Sequence, residues 1–261
     1  MILSTTFGWI VAAVFGLIFG SFANVLVARL PSGKSLVKPG SQCPQCKKPV
    51  RCFDNIPIVS YLLLRGRCRS CRKKISVRYP IIEFLTALLF VACVSRFGLT
   101  YAVVAHGWSL MVICIAITFI DLEHRIIPDL LSLTGVVLGI LTSWMIPELG
   151  MIQSILGAGF GFSFFYLLAW IYQARTGHTG LGGGDIKFLA MVGAFLGPAG
   201  VITTVLVSSI VGSVIGVAWG IASKKKKIMK VAVPYGPFLV IGALCYYFWG
   251  EILWLRFMNP M

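Results

Sequence analysis

Charged residues are scarce in this sequence. Asp, Glu, Lys and Arg make up 12% of its 261 residues, whereas a soluble domain carries about a quarter. The hydrophobic fraction is 58% and the mean hydropathy is +0.91. This composition excludes an ordinary soluble domain and indicates an integral membrane protein.

Alternating ten-residue strands are also absent, which excludes a transmembrane β-barrel. The apolar residues instead form continuous runs of about 20 residues, the length of a transmembrane helix. The eight predicted spans are about 7–29, 81–97, 101–120, 130–147, 151–172, 186–198, 200–222 and 236–255. The first run has no basic segment before it and no cleavage site after it, so we expect a retained helix. The predicted fold is an all-α polytopic membrane protein.

The Lys and Arg residues are unevenly distributed between the predicted spans. With the N terminus outside, 21 of the 23 fall on the cytoplasmic side, as the positive-inside rule requires. Orientation therefore accounts for the net charge of +15, and we expect no nucleic-acid partner. The lysine run 224–227 lies where it would meet anionic headgroups of the lipid bilayer.

One segment between spans, 32–79, is long enough to fold separately. It contains two cysteine pairs, Cys43 with Cys46 and Cys68 with Cys71, and 21 residues lie between the two pairs. Four thiolates at this spacing are typical of structural zinc in a zinc-ribbon-like insert. Two disulfides are the alternative, but thiols stay reduced in the cytoplasm, where charge counting places the insert. The sequence therefore predicts three divisions. Residues 1–31 form a first transmembrane helix, residues 32–79 form the zinc insert, and residues 80–261 form a seven-helix membrane core.

Two aspartates lie at helix ends on the same predicted membrane face. Asp121 ends the third span, and Asp185 follows a run of glycines 64 residues later. Two carboxyl groups brought close together cannot both ionise, so one holds a proton while the other acts as a base. Such a pair can activate a water molecule against a peptide carbonyl. The sequence therefore suggests an aspartic protease.

Each acid also has a simpler interpretation. Acidic residues at helix ends often favour the helix N terminus or are solvated in a loop; this explains Asp129, and Asp121 taken alone. Gly182 and Gly184 would allow a substrate backbone to approach Asp185 and would permit positive φ angles. No βαβ unit surrounds these glycines, which excludes a dinucleotide-binding loop.

Several motifs occur together in one order. They are GSFANVLVARLP at 20–31, the two CxxC pairs, RYPIIEFLTALLF at 78–90, DLEHRIIPD at 121–129, GLGGGDIKFLAMVGAFLG at 180–197 and VPYGPFL at 233–239. With them the sequence resembles the type IV prepilin peptidase family, the GxGD class of intramembrane aspartyl proteases. The resemblance implies that Asp121 and Asp185 are catalytic. It also implies a multi-pass protein of the bacterial inner membrane, with its active site on the cytoplasmic side.

The resemblance further implies the substrates. The enzyme would remove a short basic leader, after a glycine, from type IV prepilins or type II secretion pseudopilins. It would also methylate the new N-terminal amine with S-adenosylmethionine, an activity associated with the cytoplasmic insert. The sequence contains no separate methyltransferase signature.

Other polar residues carry narrower hypotheses. Glu123 and Asp129 are expected to bind the basic leader without taking part in the chemistry. Lys187 either keeps Asp185 ionised or extends to the lipid headgroups. Polar contacts to the insert are expected from three residues of the membrane helices, with a Glu83–Arg29 ion pair as the alternative: Asn24, Arg29 and Glu83.

Two other functional classes remain open from the sequence. A proton- or cation-coupled transporter would use the two membrane acids, but it predicts acids near the bilayer centre and an internal repeat, which the sequence does not show. A membrane scaffold would use the zinc insert to bind partners without a reaction. The sequence leaves the oligomeric state open.

Overall fold

The computed structural model describes residues 5–178, 180–222 and 234–258. The helices are α1 (Thr5–Arg29), α2 (Val59–Leu63), α3 (Arg78–Phe97), α4 (Trp108–His124), α5 (Asp129–Ser143), α6 (Gly150–Thr176), α7 (Gly183–Ala222) and α8 (Gly236–Met258). The described residues form no β-strand, only two isolated bridges in the insert. The predicted all-α membrane fold is confirmed. The lysine run 224–227 lies outside the described residues.

Within the described residues, five helical segments are long and apolar enough to cross a membrane. They are Thr5–Ser32, Arg78–Phe97, Val103–His124, Gly150–Thr176 and Gly183–Ala218. Shorter apolar helices lie at Asp129–Ser143 and Gly236–Gly250. The number of eight spans stays a prediction.

Helix α7 is interrupted where the sequence predicts two separate spans. Its 40 residues would rise about 60 Å as one straight helix, twice the hydrocarbon thickness of a bilayer. Gly197 breaks the helical geometry with φ 71° and ψ −178°, and Pro198 follows directly. Because φ is positive, glycine is suited to this position. The break separates two helical segments close to the predicted 186–198 and 200–222.

The chain forms two compact units, Met1–Ala116 and Ile117–Met261. In the first unit α1 packs against α3 with little space between the backbones. A Cβ atom at Gly16 would lie 2.5 Å from the Ala87 Cα. This close contact explains why α1 carries small residues on its buried face. The predicted division at 31 and 79 stays a prediction.

In the second unit α6 packs against α7 in the same way. A Cβ atom at Gly157 or Gly193 would collide with the backbone of the facing helix. The Ser154 hydroxyl donates a hydrogen bond to the Ala194 carbonyl at 2.6 Å. On the other side of α6, Ile152 is 75% exposed. Apolar side chains exposed along a membrane helix are suited to lipid contact.

Candidate active site

Asp121 lies in the last turn of α4 and is buried, with 5% of its surface exposed. Its Oδ2 accepts a hydrogen bond of 2.8 Å from the backbone N–H of Gly236, the first residue of α8. The N-terminal end of a helix carries a partial positive charge, which stabilises a carboxylate there. The start of α8 therefore both orients Asp121 and favours its negative charge.

Asp185 lies in the first turn of α7 and is half-buried. Its backbone N–H donates to the Gly182 carbonyl at 3.1 Å. The Asp121 carboxyl group is close enough to Asp185 for its charge to act on the Asp185 carboxyl group. The structure thus brings together the two aspartates that the sequence paired, at the ends of α4, α7 and α8. Two helix N termini contribute to this site.

The glycines before Asp185 provide space. A Cβ atom at Gly182 would lie 3.0 Å from the Asp185 Oδ2, and one at Gly184 would lie 2.9 Å from the Ile127 Cβ. Neither glycine has a positive φ. The expectation that they permit unusual turns is therefore wrong. Without side chains, Gly182 lets the Asp185 carboxyl group lie against its backbone, and Gly184 lets Ile127 of the loop after α4 pack closely against the start of α7.

Gly236 is a site residue that the sequence reasoning missed. A Cβ atom there would lie 2.8 Å from the Asp121 Oδ2 and 3.1 Å from its Cγ. The preceding residue, Tyr235, shares a hydrogen bond of 2.9 Å with the Ser208 hydroxyl, which ties the start of α8 to α7. In the sequence, the feature that could have indicated this role of Gly236 is its position in the VPYGPFL motif, directly before the last apolar run.

Asp129 forms an ion pair with Lys187, with 2.6 Å between the Lys187 Nζ and the Asp129 Oδ2. Both side chains are partly exposed, 59% for Asp129 and 34% for Lys187. Asp129 is not the N-cap of α5, a position that Pro128 occupies. Neither sequence interpretation of Lys187 anticipated this partner. Glu123 lies 3.9 Å from the imidazole of His124 on the exposed side of α4.

The four cysteines of the insert gather into one cluster. All four Sγ atoms lie within 4.8 Å of one another, and the Sγ atoms of Cys43 and Cys71 are 3.9 Å apart. Tetrahedral zinc with Zn–S bonds of about 2.3 Å requires sulfur atoms about 3.8 Å apart. The donor set and its spacing therefore fit a zinc ion.

Each cysteine pair is held by a tight backbone turn. The Cys43 N–H donates to the Lys48 carbonyl, and the Cys68 N–H donates to the Lys73 carbonyl. The residue after each Cys-x-x-Cys pair has a positive φ, 59° at Lys47 and 57° at Arg72. The two turns repeat the same geometry, so each presents its two thiols to the cluster.

The thiols in this cluster affect one another's ionisation. Burial raises the pKa of Cys43, but the backbone N–H groups of Cys46 and Gln45 and the neighbouring thiols lower it to about 7. The Lys73 N–H lowers the pKa of Cys71, but burial and the other three thiols raise it to about 11. Adjacent thiols cannot all ionise unless a cation balances them, as a bound metal ion does.

Removing one cluster thiol should remove the metal. We expect one zinc ion per chain in the purified protein, and a large loss of zinc in Cys43→Ser, because a hydroxyl is a poor replacement for a thiolate ligand. Mass spectrometry of the metal content measures this. Cys52→Ser is the matched control, since Cys52 is an exposed thiol outside the cluster. Full zinc occupancy in Cys43→Ser would contradict the assignment.

Of the three residues expected from the sequence to contact the insert, Arg29 and Glu83 do so, whereas Asn24 binds the backbone of α3. The Asn24 Nδ2 donates to the Tyr79 carbonyl at 3.0 Å, and Glu83 Oε2 accepts the Ile58 N–H at 2.7 Å. The Arg29 guanidinium donates to carbonyls of the insert: Ser35, Leu36, Pro39 and Gly40. The alternative Glu83–Arg29 ion pair is wrong, because each side chain binds backbone groups of the insert.

Two family models match this sequence: the bacterial peptidase A24 N-terminal domain over residues 14–97 and the type IV leader peptidase family over residues 108–217. The sequence is 34% identical to a Neisseria gonorrhoeae protein named prepilin leader peptidase/N-methyltransferase, over 93% of this chain and 91% of that protein. A Pseudomonas putida protein of the same name is 33% identical over 95% of this chain and 93% of its own. A Pseudomonas aeruginosa protein of that name is 34% identical, over 90% and 88%. No solved structure matches this chain.

Proposed function

The chain belongs to the type IV leader peptidase family, and from this premise we propose that Asp121 and Asp185 are its catalytic pair. The protein is a membrane-embedded prepilin leader peptidase with N-methyltransferase activity. One observation carries the assignment of the pair: Asp121 lies close enough to Asp185 to interact with it electrostatically, where α4 ends and α7 and α8 begin. The family gives no support to the transporter alternative.

We assign the base to Asp121 and the acid to Asp185. The Asp121 Oδ2 accepts the Gly236 N–H, and a backbone donor favours the ionised form of a carboxylate. Asp121 takes a proton from water, whose oxygen attacks the scissile carbonyl carbon. Asp185 gives its proton to the carbonyl oxygen. As the C–N bond breaks, the proton held by Asp121 passes to the leaving amine, and one hydroxyl of the tetrahedral diol returns its proton to Asp185 as the carbonyl group re-forms.

The protein is integral to the inner membrane, and its exposed apolar helices contact the lipid bilayer. We place the active site and the insert on the cytoplasmic side, because 21 of the 23 basic residues fall there when the N terminus is outside. Its substrates are prepilins. A pseudopilin of type II secretion presents the same basic leader and hydrophobic helix, and we include it in the substrate class.

We propose that Cys43, Cys46, Cys68 and Cys71 bind structural zinc. Four thiolates complete the tetrahedron, so no position remains for water or substrate. The metal would hold the two turns of the insert together and take no part in cleavage.

The second reaction adds a methyl group to the amine released by cleavage, and we propose S-adenosylmethionine as the donor. The nitrogen lone pair attacks the methyl carbon, the carbon–sulfur bond breaks to leave a neutral thioether, and the displaced proton passes to water. The test incubates purified enzyme with a prepilin, with and without this donor, and measures product masses. We expect the leader-free product without the donor and its monomethyl form with it. An uncleaved prepilin in both samples would contradict the proposed function.

We propose that Glu123 and Asp129 bind the basic leader. Asp129 is paired with Lys187, so a leader lysine would take the place of Lys187. Asp129→Asn should therefore raise KM, and Lys187→Met should lower it, each by about two- to five-fold, the range of an exposed ion pair. Glu123→Gln should raise KM as well.

Steady-state kinetics on a leader with its lysines intact and on one with them neutralised measures these changes. We expect kcat to stay near its original value in each variant, and the neutral leader to be insensitive to all three. Equal losses of kcat in Asp129→Asn and Lys187→Met would contradict leader binding, because they would show that the ion pair instead positions the start of α7.

A further inference from the structure

The first unit contains a cavity of about 530 Å³ that the peptidase chemistry does not use. This volume is within the range of about 300–1,000 Å³ typical of small-molecule sites. Its wall combines the last part of α1, the first part of α3 and both cysteine turns of the insert. The residues of this wall include Asn24, Ala28, Cys43, Asp54, Cys68 and Glu83.

Glu83 is a buried acid in this wall, with 7% of its surface exposed. Its carboxyl group accepts the Ile58 N–H at 2.7 Å and a hydrogen bond from Ser21. No Lys or Arg pairs with it among the residues that the structure describes. Asp54, another acid of the wall, is already bound by Arg69 through two guanidinium nitrogens. A proton, or a cation bound in the cavity, would balance the charge of Glu83.

Asn24 is a second polar group in the wall and is 3% exposed. Its Nδ2 donates to the Tyr79 carbonyl, which fixes the orientation of the amide. Its Oδ1 is buried and has no hydrogen-bond partner within the described part of the chain. A buried acceptor without a donor is destabilising. Asn24 and Glu83 both present acceptor oxygens, so they match a ligand with donor groups and a positive charge.

The insert side of the cavity has the opposite character. Lys34, Lys47, Lys48 and Arg51 line it, and together they can attract a carboxylate. A ligand that matches both sides carries a cation, amine or hydroxyl donors, and a carboxylate. S-adenosylmethionine has all of these in its sulfonium, its ammonium, its ribose hydroxyls and its carboxylate.

We propose that this cavity binds S-adenosylmethionine, with Glu83 facing a positively charged group of the donor and Asn24 accepting a hydrogen bond from it. The inference rests on the proposed methyltransferase function and assigns that function a site. It also explains how the zinc insert contributes to methylation: Cys43 and Cys68 belong to the cavity wall, so zinc shapes the cavity without touching the reaction.

The test is calorimetric titration of S-adenosylmethionine into the zinc-loaded, full-length protein. Glu83→Gln keeps an acceptor for the Ile58 N–H and removes only the charge. We expect its Kd for S-adenosylmethionine to rise about tenfold or more, because a buried charge pair is lost, with the thermal unfolding midpoint unchanged. Glu148→Gln is the matched control: it makes the same change at an exposed residue of the other unit and should leave Kd unaltered.

A second variant does not depend on a buried polar group. Ala28→Phe adds bulk to the cavity wall and should also abolish binding while prepilin cleavage by the same preparation continues. Unchanged Kd in both variants would overturn the inference, as would a joint loss of binding, cleavage and thermal stability. If the wild-type protein cleaves prepilin but does not bind S-adenosylmethionine, the cavity assignment fails and the peptidase assignment stands. If it binds and methylates but does not cleave, the catalytic pair is the part that fails.

Discussion

Replacement of Asp185 by Asn is expected to lower kcat/KM for prepilin cleavage by about 10⁴-fold or more, the loss typical of removing one member of a catalytic pair. Asparagine preserves the size of the side chain, but it cannot donate or accept the proton whose transfer is required for cleavage of the peptide bond. Asp121→Asn should have an effect of the same order, because the introduced amide cannot act as a base. The Gly236 N–H that now binds the Asp121 Oδ2 would retain an acceptor, so the fold should persist.

The measurement is the initial rate of leader removal, followed by product mass. The double variant should be scarcely worse than either single variant, because the two carboxyl groups act as one unit. Zinc content and the thermal unfolding midpoint should match those of the wild-type protein. Glu148→Gln serves as the control for loss of a carboxylate elsewhere. A kcat/KM for prepilin cleavage within about tenfold of the wild-type value in either Asn variant would contradict the proposed mechanism.

Gly236→Ala should have the second largest effect, a loss of about 100-fold in kcat/KM. The added Cβ would lie 2.8 Å from the Asp121 Oδ2, so either the carboxyl group or the start of α8 must move. The hydrogen bond between them would lengthen or break, and small displacements or a lost donor at a catalytic group typically reduce rates about 10²–10³-fold. The loss should fall mainly on kcat.

Gly216→Ala is the matched control for this variant. Gly216 also lies on a membrane helix, but a Cβ atom there would meet nothing within 4 Å. It should therefore retain wild-type cleavage and equal or greater helix stability. If Gly236→Ala and Gly216→Ala show the same activity, the contact between α8 and Asp121 has no catalytic role.

Most of the fold follows from local properties of the sequence. Continuous apolar runs must satisfy their backbone hydrogen bonds internally, so they become helices. The cysteine cluster follows in the same way, because short Cys-x-x-Cys turns present their thiols to one ion. The distribution of basic residues also predicts that Asp121 and Asp185 lie on the same side of the membrane, because it assigns both of their loops to one face.

The errors have a common origin. From the sequence, Lys187 was expected to interact either with Asp185 or with the lipid headgroups. In the structure, Lys187 binds Asp129, which is 58 residues away in the sequence. Unusual turns were also expected at Gly182 and Gly184, whereas these glycines serve close packing. Each error concerns which partner a side chain meets, and that choice depends on how distant helices pack.

By itself, the sequence determined the helices, the cysteine cluster and the pairing of Asp121 with Asp185, since hydrophobicity, ligand spacing and charge bias are encoded in nearby residues. Only the tertiary structure decided that the Gly236 N–H binds Asp121 across 115 residues and that Glu83 and Asn24 share one cavity. The physical reason is that hydrogen bonds and cavities depend on separations of a few ångströms between distant segments, which packing fixes and local composition does not.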